Sequence, residues 1–121
     1  EQPETANGHL HYLAGWYKQS YEKIKTDFEV RFSHDLIGAF RRLQDEGYIE
    51  IVTGAATHAY LPLLGRDSAI TAQIKTGVSS YKRFFGRQPI GIWLPECAYR
   101  PGLEQFLAAN DLKVFFIFFS L

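Results

Sequence analysis

The residues best suited to chemistry lie in one stretch, Gly91-Ile92-Trp93-Leu94-Pro95-Glu96-Cys97-Ala98-Tyr99-Arg100-Pro101-Gly102. An apolar run from Ile90 to Leu94 leads into a proline and then an acid. That is the pattern of a buried strand ending in a loop that carries a carboxylate. In α/β barrels and open α/β sheets, ligands bind beyond the carboxyl ends of the strands, so Glu96 stands where a reactive group is expected. A Pro-Glu pair is in general a surface turn. Here a tryptophan, a tyrosine and an arginine lie within four residues of the acid, and Pro95 with Cys97-Ala98 is expected to hold it still and partly dry. A second loop, Gly54-Ala55-Ala56-Thr57-His58-Ala59-Tyr60-Leu61-Pro62, follows the expected buried strand Ile49-Glu50-Ile51-Val52. Small residues after a strand let the backbone approach a ligand or a neighbouring loop closely, which makes His58 and Tyr60 candidates to face Glu96. His9 and His11 have a spacing that chelates metal on a strand, but they precede a helical pattern with no third ligand nearby. They are expected to be a surface pair, with no metal and no cofactor.

Composition bounds what the site can serve. The 121 residues amount to one domain, and 46% hydrophobic content is enough for a core. Aromatic content of 16% suits a packed interior or sugar-stacking surfaces. With 13 basic and 13 acidic residues the formal net charge is zero, so there is no electrostatic case for nucleic acid or an anionic membrane as partner. Cys97 is the single cysteine, which excludes an internal disulfide and a cysteine-based zinc site and suits a reducing, cytoplasmic setting. Glu1-Gln2-Pro3-Glu4 has no secretory h-region, and no run reaches eighteen apolar residues. The chain lacks methionine and nearly ends on Val114-Phe115-Phe116-Ile117-Phe118-Phe119, a run that a free chain must bury or aggregate through. The expectation is a piece of a longer protein, residues 1–121 being a partial domain truncated at both ends, with the remainder of its own polypeptide as partner.

The elements that must position Glu96 and His58 read from apolar periodicity. Glu1 to Gly8 is expected to be irregular, with Pro3, Asn7 and Gly8 as breakers. Leu13, Trp16, Tyr17, Tyr21, Ile24 and Phe28 recur at helical spacing from Leu10 to Phe28, opposite Lys18, Gln19, Glu22, Lys23 and Lys25. Ser33 or Asp35 can cap a second helix with Leu36, Ile37, Phe40 and Leu43 on its apolar face and Gly47 at its end. A strand over Tyr48–Thr53 leads to the His58 loop. Asp67 is expected to cap a third helix running to Phe85, with Gly86 terminating it. Pro89 restarts the chain as the strand that delivers Glu96. A short helix, Leu103–Ala109, and a last strand, Lys113–Phe119, follow. Near-continuous apolar strands joined by helix-length connections indicate an α/β fold with a parallel sheet covered by helices, and crossovers of one hand put both loops on one rim.

Glu50 to Leu64 and Gly91 to Pro101 resemble two signature regions of glycoside hydrolase family 57, closest to its 1,4-α-glucan branching enzymes, and Asp35 to Gly47 is similar to that branch as well. The resemblance implies an arc of an incomplete (β/α)7 barrel and a retaining mechanism on α-glucan. By the same resemblance Glu96 is the nucleophile, and His58, Tyr60, Trp93, Cys97 and Tyr99 are expected to line the sugar site. A retaining glycosidase needs two carboxyl groups roughly 5–5.5 Å apart, and the family's acid/base aspartate falls beyond Leu121. Its histidine-bearing first region is also missing, and Phe118-Phe119-Ser120 stands where an Asp-x-His-like segment is usual. The alternatives are an α-amylase or 4-α-glucanotransferase of the same family, and a non-catalytic glucan-binding barrel fragment. A metal-dependent polysaccharide deacetylase would need one Asp and two His in a coherent motif, which the scattered histidines do not supply.

Overall fold

The computed structural model describes residues 3–118, with side chains from residue 7 onward. The chain divides into two compact units, Glu1–Leu43 and Gln44–Leu121.

In the first unit, helix α1 spans Pro3–Thr26 and runs into a π-helical turn, Asp27–Arg31. The irregular lead-in expected up to Gly8 is therefore helical from Pro3, while Glu1 and Gln2 lie outside the described residues. Proline costs little in a first helical turn, where its missing N–H needs no partner. Each internal glycine costs only about 1 kcal/mol, and the 24-residue helix absorbs two, Gly8 and Gly15. The polar side carries Lys18–Glu22, Lys23–Asp27 and Lys25–Glu29 ion pairs. A hydrogen bond from Lys23, helped by the charges of Lys23 and Arg31, holds the Asp27 carboxyl below its ordinary range. His9 and His11 both lie on α1, where residues two apart do not face each other. The chelating geometry that H-x-H has on a strand is thus unavailable. Helix α2, Leu36–Asp45, is capped by Asp35, whose Oδ1 accepts the Gly38 N–H at 2.7 Å. Past its end, Gly47 takes φ 82°, as a left-handed terminator requires.

The second unit is a three-stranded parallel sheet, β1 (Thr53–Gly54), β2 (Gly91–Trp93) and β3 (Val114–Phe115), in that order. The register pairs Thr53 with Ile92, Gly54 with Trp93, and Ile92 with Phe115. Helix α3, Asp67–Phe85, connects β1 to β2, and α4, Leu103–Ala108, connects β2 to β3. Asp67 sits in the first turn of α3 and Arg66 is the capping residue, whereas the C-terminus is the expected one, with Gly86 at φ 72°. The strands are shorter than the apolar runs suggested. The Ile51 N–H goes to the Gln44 side-chain oxygen at 2.7 Å instead of to a ladder, so regular pairing begins only at Thr53. The paired part of the last strand stops at Phe115, and Phe119 and Ser120 lie outside the described residues.

One face of the sheet makes the core. Ile92, Leu94, Ile70, Ile74, Leu103 and Leu107 are buried together, each contributing about 1.5–3 kcal/mol through removal from water. Alternation of side chains along a strand sends Trp93, Val114, Phe116 and Phe118 the other way, where all are exposed. Gly77 lets α3 approach the sheet: a Cβ there would sit 2.0 Å from the Gly54 carbonyl oxygen. The start of the His58 loop is therefore held directly under α3.

Candidate active site

Both candidate loops leave the carboxyl ends of adjacent parallel strands. After β1, Ala56 donates its N–H to the Gln73 carbonyl at 3.1 Å, and His58 turns back to bond the Ala55 carbonyl at 3.0 Å. His58 itself adopts φ 56°. After β2, Leu94 and Pro95 are fully buried, and a 3₁₀ turn spans Pro95–Cys97. The turn closes through Cys97 N–H to the Leu94 carbonyl, 2.8 Å, and Ala98 N–H to the Pro95 carbonyl, 3.1 Å. Inside it Glu96 has φ 57° and ψ 22°, and Cys97 has φ 52°. A left-handed conformation costs a non-glycine residue roughly 1–2 kcal/mol, and such strain persists only where the surroundings over-determine it. Burial of Pro95, Cys97 and Ala98 supplies that constraint, leaving Glu96 as the residue turned outward.

The two left-handed residues meet. His58 Nε2 lies 3.3 Å from Glu96 Oε1, so the ring nitrogen, when protonated, donates to the carboxylate. Contrary to the dry setting expected from the sequence, these side chains are 66% and 74% exposed. Nothing on the open face of the sheet covers them among the described residues.

The remaining predicted site residues are spread around this pair. Trp93 is half-exposed on the open sheet face beside the turn, its indole tilted at 5.5 Å against Phe116. Its partner in register is Gly54, whose missing side chain leaves the indole uncovered on that side. Tyr60 is exposed just before the 3₁₀ turn Leu61–Leu63. Cys97 is buried and faces away from solvent. Tyr99 stacks on Phe115 at 5.6 Å and donates its hydroxyl to Glu104 Oε2 at 2.9 Å. The Gly102 N–H donates to the same oxygen at 2.8 Å. Hydrogen bonds from its own backbone N–H, from Tyr99 and from Gly102 hold the Glu104 carboxyl below its ordinary range, and the bond to Glu104 raises the Tyr99 hydroxyl. Tyr99 is thus engaged in holding its own loop.

Sequence reasoning missed Glu104 and Gln73. Glu104 had a readable signal, an acid in the first turn of a helix after a glycine. Gln73, a polar residue beside the apolar face of α3, had none. Among the described residues no group of three His, Cys, Asp or Glu side chains is arranged to hold a metal, and no helix is long and apolar enough to cross a membrane.

The family model for glycosyl hydrolase family 57 matches residues 1–117. The chain is 47% identical, over 116 residues, to a 1,4-alpha-glucan branching enzyme of Thermococcus kodakarensis, covering 84% of this chain and 17% of that protein. It is similar to the crystal structure of a GH57-type branching enzyme from Pyrococcus horikoshii, with TM-score 0.73 and 40% identity over 95% of this chain and 24% of the other. It also resembles the alpha-amylase AmyC of Thermotoga maritima, with TM-score 0.77 and 39% identity over 88% of this chain and 21% of that one.

Proposed function

This chain belongs to glycosyl hydrolase family 57, and from that premise we propose that it is part of the catalytic barrel of a 1,4-α-glucan branching enzyme with Glu96 as nucleophile. The chain spans 17% of the length of its Thermococcus relative. In this reading the further strands of an incomplete (β/α)7 barrel, and the acid/base aspartate, come from the remainder of the polypeptide. The observation that carries the reading is the contact between His58 and Glu96, 3.3 Å, at the carboxyl ends of neighbouring strands. It joins the two sequence stretches on which the family resemblance rests.

The chemistry follows from that placement. Glu96 Oε attacks the anomeric carbon of an α-1,4-linked glucan while the partner acid protonates the departing glycosidic oxygen, leaving a glycosyl ester on Glu96. A 6-hydroxyl of a second glucan strand then displaces the ester with loss of its proton to the same partner, giving an α-1,6 linkage with the anomeric configuration retained. His58 orients the carboxylate by donating to it from Nε2. Trp93 and Tyr60 give aromatic surface on which sugar rings stack, while Tyr99 holds the loop through Glu104 and Cys97 shapes the site from behind the turn. Transfer must outrun hydrolysis, so water has to be excluded at the intermediate. Glu96 is 74% exposed in this chain, and in this reading the rest of the barrel supplies that exclusion. No cofactor enters the reaction. The free Cys97 thiol supports a cytoplasmic setting, where glycogen-like glucans are the substrate.

The test uses the full-length protein with amylose, scoring α-1,6 linkages by debranching and iodine colour. Glu96→Gln is nearly isosteric but cannot form the ester, and is expected to abolish branching while glucan binding persists. Retention of most of the rate in that variant would overturn the assignment. The likeness to an alpha-amylase supports a second reading, hydrolysis, which the same assay distinguishes by reducing ends without new α-1,6 bonds.

A further inference from the structure

We propose that Gln73, on α3, is a positioning residue for the site: it clamps the loop after β1 so that His58 stays aimed at Glu96. The inference rests on the functional reading above and names a residue that reading does not use. Three hydrogen bonds and one backbone contact converge on the residue before His58 and its neighbour. Gln73 Oε1 accepts the Thr57 N–H at 3.0 Å and lies 3.2 Å from the Thr57 hydroxyl, while Gln73 Nε2 donates to that hydroxyl at 2.9 Å. The Gln73 carbonyl also accepts the Ala56 N–H at 3.1 Å.

The clamp acts where the backbone is most in need of it. His58 is held at φ 56°, a region a histidine leaves readily unless its flanks are fixed. The side chain is largely in solvent, so packing does little to restrain it, and its contact to Glu96 is long for a hydrogen bond at 3.3 Å. Its aim therefore derives from the backbone of Ala55 to Thr57. That backbone is tied to α3, and α3 is seated firmly: Ile70, Ile74 and Val78 are buried in the core on its neighbouring turns. Gln73 carries the rigidity of the helix into the loop. A misplacement of about 1 Å at a reacting group can cost on the order of 10²-fold in rate, so a clamp one residue from the contact has leverage on catalysis.

The experiment is a double-mutant cycle in the full-length protein. Gln73→Leu keeps the shape and helical fit but removes both polar functions. Gln73→Glu keeps acceptors for the Thr57 N–H and hydroxyl. His58→Ala removes the group through which Gln73 is argued to act. Gln73→Leu is expected to lower kcat for branching roughly tenfold with little change in KM, and to raise hydrogen exchange at the Thr57 amide. Gln73→Glu should recover most of the rate. In the His58→Ala background, adding Gln73→Leu should cost almost nothing further, because both changes remove the same contact. Additive losses, or a Gln73→Leu enzyme with wild-type kcat, would overturn the inference, as would a failure of Gln73→Glu to restore rate at unchanged thermal midpoint. The Glu96→Gln variant separates the two claims. If it stays active the nucleophile reading fails, whereas an inactive Glu96→Gln enzyme with an additive cycle sinks the clamp alone.

Discussion

Glu96 and His58 reach each other because both occupy backbone conformations that ordinary side chains avoid. In each case the strain is held by neighbours that are buried or hydrogen-bonded. Tyr99 and Glu104 do the same for the far side of the Glu96 loop, and their perturbed titration makes this testable. The Glu104 carboxyl is held low, so its contribution to stability is present above the unfolded carboxyl value of about 4.3 and is lost as pH falls through the lower folded value. The Tyr99 hydroxyl is held high, so its contribution is present below about 10 and is lost as pH rises through the folded value. Tyr99→Phe should therefore lower the thermal midpoint between these limits. The gap to wild type should shrink toward both acid and alkali. A difference that stayed constant across the whole range would show that the hydroxyl bond to Glu104 does not stabilise the loop.

At the scale of elements, α3 does more than cover the sheet. Its buried face seats Ile70, Ile74 and Val78 in the core, its Gly77 touches the β1 backbone, and its Gln73 reaches the His58 loop. Close approach at Gly77 is what brings the helix near enough for the last of these. Adding one methyl there has to displace a backbone carbonyl that cannot swing aside. Gly77→Ala is expected to destabilise the full-length protein by about 1–3 kcal/mol, read as a lower thermal midpoint, and to loosen the His58 loop in hydrogen exchange. An unchanged midpoint would mean that α3 can slide off β1 without loss.

For the molecule as a whole, the sheet's second face is the dominant feature. Trp93, Val114, Phe116 and Phe118 are exposed together, and β1 and β3 are the edges of the described sheet. Open edges with apolar side chains pair with other chains. The 121-residue chain on its own is therefore expected to self-associate, with the lysine substitutions Phe116→Lys and Phe118→Lys reducing association. Analytical ultracentrifugation of a monodisperse monomer that melts cooperatively would overturn this. The same face holds the Trp93–Phe116 pair next to the strand end that leads into the Glu96 turn, so any segment that covered this face would also enclose the site.

The sequence alone determined the α/β order, the span of α3 and its terminator, the loops that bear His58 and Glu96, and the family those loops resemble. These follow from local information: apolar periodicity, the φ that Gly86 can adopt, and wording dense enough to be specific. Only the tertiary structure decided the rest. Pro3 to Gly8 is helical because a first-turn proline is cheap and a long helix tolerates its two glycines, Gly8 and Gly15. The run from Tyr48 pairs only from Thr53, because a glutamine distant in sequence takes the Ile51 N–H. Tyr99 is turned to Glu104, Cys97 is turned inward, and Gln73 is joined to Thr57. The pairings of Gln44 with Ile51 and of Gln73 with Thr57 are contacts between residues whose types carry no mark of the partner they will meet, and the second exists only once α3 has packed on the sheet.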